Sequence, residues 1–142
     1  MLRAFLCVPA VLALMVAVGG GQRPAAPADI KTIPERTNFH DTSRYSDVVA
    51  FLEALRKASP RVHLTTFGTT NEGRALPLAV IGAPDATTAA VRRTNKLRVY
   101  VLANIHGGEV EGKESAQMLL RDLAAGRHDD WLERIVFLVA PI

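Results

Sequence analysis

The chain has 142 residues, of which 49% are hydrophobic and 22% charged, a balance typical of one globular domain with an additional apolar segment. The formal net charge of +3 is carried by scattered residues. The only basic cluster, within residues 92–98, lacks the interleaved aromatic side chains of a nucleic-acid surface, so we expect no nucleic-acid partner. The single cysteine, Cys7, lies in the apolar segment, which excludes a disulfide framework and a cysteine-ligated metal in the rest of the chain.

The apolar segment is at the N-terminus and has the parts of a secretory signal peptide. Arg3 is the only charge in residues 1–21, the run from Phe5 to Val18 is almost wholly apolar, and three glycines follow. A membrane anchor is the alternative, but the run is shorter than the ~20 residues that a span needs and contains Pro9. We therefore predict a signal peptide at residues 1–21 and a secreted or periplasmic mature chain without a stable membrane span. The sequence does not choose the cleavage position.

Residues 22–44 are predicted to form a linker, because they contain three prolines and few large apolar side chains. From Tyr45 the apolar residues recur at helical spacing, with Ser46 as the predicted N-cap and Ser59-Pro60 as the stop. We therefore place the folded domain at residues 45–142.

A β-hairpin is predicted next. Residues 62–67 are rich in β-branched side chains and residues 75–81 are apolar. The glycine, threonine and asparagine residues between these segments are typical of a turn. An irregular connection, with or without a short helix, then leads to Asn95.

The second half of the chain predicts a βαβ unit. The apolar run 97–105 indicates a strand inside a sheet, and a helical stripe of apolar residues follows it. Glu114 and Arg121 fall among the outer positions of this helix, and the apolar run 134–140 indicates the returning strand.

The fold class that these elements predict is α/β, a mixed sheet with helices on both faces. Residues 135–140 are apolar enough for a sheet interior, yet the sequence stops at Ile142. We therefore expect the domain to be truncated after about four strands.

One short motif has the composition of a metal site. His106 directly follows the strand predicted at 97–105, at the carboxyl end where open α/β sheets place their sites. Glu109 follows three residues later, so an imidazole nitrogen and a carboxylate oxygen can converge on one cation. This donor pair suits zinc, and a catalytic zinc takes three protein ligands and a water, so the sequence offers two of three. In the alternative, His106 bonds to nearby backbone and Glu109 and Glu111 are first-turn acids of the helix.

The run ANIHGGEVEGKE, residues 103–114, resembles the metal-binding segment of the carboxypeptidase A-like zinc carboxypeptidases, in which a strand ends in His-x-x-Glu and a helix follows. Residues 68–74 resemble the G-x-S-x-E-G-R hairpin turn of that family, with a shifted spacing. The opening helix and the strand FLVAPI also occur in the family's order, so the resemblance covers about residues 45–142.

The resemblance implies that His106 and Glu109 are the first two ligands of Zn²⁺. It also implies that Arg74 lies beside the substrate, where a guanidinium can hold a peptide carbonyl or carboxylate. An exposed hairpin arginine is the alternative for Arg74. Glu111 and Glu114 are interpreted as helix acids, with a supporting role at the metal left open for Glu111.

The function that the resemblance implies is that of a zinc-dependent metallocarboxypeptidase, which hydrolyses a peptide substrate near its C-terminus. The third zinc ligand, the catalytic glutamate and the arginines that hold the terminal carboxylate lie beyond position 142 in the family, so no catalytic residue is assigned here. The remaining histidines are interpreted as surface or hydrogen-bonded residues: His40, His63 and His128. We expect isolated residues 22–142 to bind zinc weakly and to hydrolyse nothing.

Two alternatives remain open. One is a zinc-dependent deacylase of N-acyl amino acids, because those enzymes carry a similar His-Gly-x-Glu turn. The other is a non-catalytic binding module that keeps the fold without the metal chemistry. The sequence predicts neither the substrate side-chain preference nor the oligomeric state.

Overall fold

The computed structural model describes residues 25–142, and the predicted signal peptide lies outside them. After a 3₁₀ turn at Pro27–Asp29, the elements are α1 (Ile33–Arg36), α2 (Tyr45–Ala58), β1 (Val62–Thr69), β2 (Ala75–Ile81), α3 (Thr88–Arg93), β3 (Leu97–Leu102), α4 (Val110–Ala124), α5 (Asp129–Arg134) and β4 (Ile135–Ala140). None of the helices within residues 25–142 combines the length and the apolar character that a membrane span requires.

The four strands form one mixed sheet in the order β1-β2-β4-β3. β1 and β2 are the predicted antiparallel hairpin, and β2 also pairs antiparallel with β4. β3 and β4 pair in parallel across α4, as expected for a βαβ unit. The α/β fold class with a mixed sheet is therefore confirmed.

Both faces of the sheet carry helices. On one face α2 and α4 bury the main core, in which Leu52, Leu55, Leu120 and Leu123 are at most 1% exposed. Burial of each such side chain contributes about 1.5–3 kcal/mol. On the other face α3 places Val91 against β2 and β4. The two layers cover both faces of β4, which is paired on its two sides with β2 and β3.

β3 differs from its prediction, because within the described residues it lies at an edge of the sheet and ends at Leu102. Val99 and Val101 pack toward the main core, whereas Tyr100 and Leu102 are 52% and 45% exposed. After a last sheet-like hydrogen bond from Ala103 N–H to the Ala140 carbonyl, the chain turns away. The apolar run is therefore longer than the strand.

The start of α2 is capped differently from the prediction. The helix begins at Tyr45, as expected, but Ser46 is inside it. The Asp47 carboxylate accepts a hydrogen bond of 2.8 Å from the Arg44 N–H, so the polar group that bonds at this terminus is Asp47. Serine is a preferred N-cap residue, but Ser46 lies two positions after the observed N-cap, Arg44.

Residues 27–43, here called the N-terminal segment, pack against α4 where a linker was expected. Thr32 and Ser43 are 1% and 2% exposed, and Ile30 contacts the main core. Because this segment covers α4, Glu114 and Arg121 are buried at 7% and 9% exposure instead of facing outward. The N-terminal segment is bound by polar side chains of α4. The composition of the segment alone does not predict this packing.

Candidate metal site

The two predicted metal ligands, His106 and Glu109, are here called the metal pair. They lie in a turn between the carboxyl end of β3 and the start of α4. Asn104 has a left-handed backbone, φ 54°, which asparagine tolerates better than most residues. The Glu109 N–H donates to the His106 carbonyl at 3.0 Å and closes the turn. A Cβ atom at Gly107 or Gly108 would meet nothing within 4 Å. The turn is therefore open on its outer side.

The two predicted ligands face each other. His106 Nδ1 and Glu109 Oε1 are 3.1 Å apart, and their side chains are 75% and 67% exposed. Two ligands about 2.0–2.2 Å from one tetrahedral zinc ion lie roughly 3.3–3.6 Å from each other. The pair therefore needs only a small adjustment to bind one cation, and its donor set suits zinc. The imidazole faces the carboxylate, not the nearby backbone as in the alternative.

Within residues 25–142, no group of three or more histidine, aspartate or glutamate side chains is placed to hold a metal ion. His128 stacks on Trp131, with ring centroids 4.1 Å apart. His63 lies on β1, and His40 is an exposed residue of the N-terminal segment. The described residues thus bring one histidine and one glutamate together, whereas a catalytic zinc site typically uses three protein ligands.

A cavity of about 730 Å³ lies beside the pair, between the end of β3 and the first turns of α4. His106, Glu109 and Glu111 are among its lining residues. The Asn104 Oδ1 atom is buried there and accepts no hydrogen bond from the described residues. A buried carbonyl oxygen without a donor is unusual and marks this wall as able to bond a polar group.

Arg74 is not brought to the pair. It lies in the turn before β2, forms an ion pair with Glu72 and is 56% exposed, and it does not line the cavity beside His106. Because β2 runs antiparallel to β4, the first residue of β2 lies toward the carboxyl ends of β3 and β4. Arg74 and His106 therefore lie toward the same end of the strands, without contact between them.

A buried polar cluster one turn into α4 was missed by the sequence analysis. The Glu114 carboxylate accepts hydrogen bonds from the Thr42 hydroxyl (2.7 Å), the Ser43 N–H (2.6 Å), the Ser43 hydroxyl (2.8 Å) and the Gln117 amide (2.9 Å). Lys113 Nζ donates to the Ser43 carbonyl. Since Thr42 and Ser43 are about 70 residues away from Lys113 and Glu114 in the chain, no local sequence pattern predicts these contacts.

A second polar contact joins the N-terminal segment to the far part of α4. Arg121 donates to a Glu35 carboxylate oxygen at 2.5 Å and to the Ile30 carbonyl at 3.1 Å. This hydrogen bond is the main reason that the pKa of Glu35 lies below its ordinary value of 4.5, while partial burial acts in the opposite direction. The same bond raises the pKa of Arg121.

Comparison with known proteins gives a family and a fold. Residues 48–142 match the family model described as zinc carboxypeptidase. The carboxypeptidase A of Helicoverpa armigera superposes with a TM-score of 0.61 at 21% identity, over 72% of this chain and 24% of that one. The metallo-carboxypeptidase of Burkholderia cenocepacia superposes with a TM-score of 0.53 at 25% identity, over 68% of this chain and 25% of that one.

The chain thus spans about a quarter of the length of these solved structures. At 21% identity, the likeness to the first of them concerns the fold alone. No curated protein matches the sequence significantly.

Proposed function

The chain belongs to the zinc carboxypeptidase family, and from this premise we propose that it supplies His106 and Glu109 as two zinc ligands of a metallocarboxypeptidase. The observation that carries the proposal is the 3.1 Å separation of His106 Nδ1 and Glu109 Oε1 at the carboxyl end of a parallel strand. When bound, zinc polarises a carbonyl and lowers the pKa of a coordinated water.

The chain's own contribution is to bind and orient the metal. His106 offers a neutral nitrogen and Glu109 a negative oxygen, and both side chains are accessible from the same open side of the turn. Because glycine has no side chain, Gly107 and Gly108 leave space for further ligands and a substrate. The proposed substrate is a peptide, hydrolysed near its C-terminus.

Arg74 is proposed as a substrate contact, in keeping with the sequence resemblance. Its position toward the same end of the strands as the metal pair supports this role. The N–H donors of its guanidinium group suit a carboxylate or a peptide carbonyl. Its exposed ion pair with Glu72 would have to exchange for the substrate. Such exposed pairs contribute about 0–1 kcal/mol, so the exchange costs little.

The apolar start of the chain supports a secreted or periplasmic location as a further proposal. For the isolated chain we propose weak zinc binding and no hydrolysis, because residues 25–142 bring only two ligands together. A two-ligand site leaves the metal exposed to competing water.

A zinc titration of the purified chain, followed through the imidazole signals of its four histidines, tests this proposal. Zinc should shift the His106 signals, with His40, His63 and His128 as internal references. The variant Glu109→Gln should lose this response, and in His106→Ala zinc should leave the signals of the three remaining histidines unchanged. An unchanged His106 signal, or a Glu109→Gln variant that responds like the parent, would contradict the metal pair. A zinc-dependent rate on blocked peptides would contradict only the proposed inactivity of the isolated chain.

A further inference from the structure

The first turns of α4, which follow the metal pair directly, are partly exposed, with Glu111, Gly112 and Ser115 open to solvent. Among residues 110–114, only Lys113 and Glu114 are buried, at 5% and 7% exposure. Gly112 lies against the Ala103 side chain, since a Cβ atom at Gly112 would be 3.5 Å from that of Ala103. The position of this turn therefore depends on what the two buried charged residues bind.

Both of these charged residues bind the same short stretch of the N-terminal segment. Thr42 and Ser43 supply three of the four hydrogen bonds to the Glu114 carboxylate, and the Ser43 carbonyl accepts one from Lys113. The Gln117 amide also donates to the Ser43 hydroxyl, at 3.3 Å. A buried carboxylate bonded by this many donors has little freedom to move.

The metal pair has no comparable support of its own. Both ligand side chains are mostly exposed, and the two glycines between them contact nothing on their outer side. Apart from its internal bond from the Glu109 N–H to the His106 carbonyl, the turn is held, among the described residues, at its two ends. At one end Ala103 bonds to Ala140 of β4, and at the other end Glu109 leads into α4.

We propose that Glu114 is a positioning residue for the metal pair. Bound to Thr42 and Ser43, it fixes the first turn of α4 and so holds the Glu109 carboxylate within ligand distance of His106. The inference rests on the proposed zinc function. It makes the N-terminal segment, which precedes the family match at residues 48–142, a working part of the site.

The molecule contains a matched control for this idea. The Glu35–Arg121 contact joins the same segment to the same helix, seven residues beyond Glu114. At a rise of 1.5 Å per residue that is about 10 Å further from the metal pair. A loss of this contact should lower stability without moving Glu109.

The experiment compares Glu114→Gln and the double variant Thr42→Val/Ser43→Ala with Glu35→Gln in the otherwise unchanged chain. Zinc affinity is measured from the His106 imidazole signals, well below each variant's unfolding temperature. Substitution of residues that orient metal ligands typically weakens metal binding 10–100-fold, so we expect about a tenfold loss for the first two variants. For Glu35→Gln we expect less than a twofold change. Amide hydrogen exchange of residues 110–114 should accelerate only in the first two variants.

Each outcome decides the question. Equal zinc affinity in all three variants and the parent, or an equal loss in all three, overturns the positioning role. If the parent chain does not respond to zinc, the proposed function fails, while hydrogen exchange still shows whether Glu114 fixes the turn. If Glu114→Gln does not fold, the double variant, which keeps the carboxylate, decides alone.

Discussion

Two carboxylates on adjoining turns of the same region have opposite surroundings. The Glu109 side chain is 67% exposed, and among residues 25–142 its carboxylate forms a hydrogen bond only with His106. Glu114, five residues later, is buried and accepts four hydrogen bonds. In the sequence both are acids at the start of one helix. The difference teaches that a carboxylate is free to bind a cation only where the fold has not already given it donors.

The buried carboxylate needs its partners. A charged group out of water is costly unless it is paired and hydrogen-bonded. Glu114 Oε1 lies 3.7 Å from Lys113 Nζ, and the hydroxyl and amide donors complete its shell. Removal of either side of such a cluster leaves the other side buried without compensation.

The largest expected effect is therefore that of Glu114→Ala. We expect the free energy of unfolding to fall by about 3–5 kcal/mol, as for other buried charged groups that lose one partner. Urea unfolding measures the loss, and Glu109→Ala, at the N-cap of the same helix, is the matched control. A loss below about 1 kcal/mol would mean that the cluster is not a structural anchor.

An intermediate effect is expected for Glu35→Gln. A hydrogen bond to a charged group contributes about 1.5–3 kcal/mol, part of which the amide retains. Because the pKa of Glu35 is lowered in the folded chain, its ionised form contributes stability that is fully present above the ordinary pKa of 4.5. This stability is lost as the pH falls through the lowered value.

The difference in stability between the parent and Glu35→Gln should therefore be constant near neutral pH and shrink on acidification below about 4.5. Urea unfolding at a series of pH values measures it. A difference that grows in acid, or that does not change, would contradict the assigned role of the Arg121 hydrogen bond.

The smallest expected effect on stability is that of His106→Ala and Glu109→Ala. Both side chains are mostly exposed, so we expect changes within about 0.5 kcal/mol. Thermal unfolding without metal measures them. A loss above about 1 kcal/mol for either variant would remove the contrast with Glu114, because it would show that the turn itself carries stability.

The parts of the fold that the sequence predicts are those with local causes. The hairpin, α2, α4 and the central strand β4 follow from periodicity and from turn residues. The approach of His106 and Glu109 follows from their spacing of three residues across a glycine turn. Their role as zinc ligands, like that of Arg74, stays a prediction.

The parts that it does not predict depend on distant partners. The N-terminal segment has the composition of a linker, yet it packs because Glu114 and Arg121 offer it hydrogen bonds. Those two residues fit the outer face of an amphipathic helix until the segment covers them. The apolar run that ends in β3 does not show that its last residues leave the sheet at Ala103, where Asn104 adopts a left-handed conformation.

The separation of Ser43 and Glu114 along the chain also affects the order in which the molecule folds. Their hydrogen bonds join residues 71 apart, whereas His106 and Glu109 are neighbours in one turn. Closure of a long loop is entropically more costly than closure of a short one, so contacts between distant residues generally form later in folding. The turn that carries His106 and Glu109 can therefore form early in folding. The proposed support from Glu114 forms only when Ser43 and Glu114 come together. If His106 and Glu109 bind zinc as proposed, the zinc affinity of the chain should therefore increase late in folding.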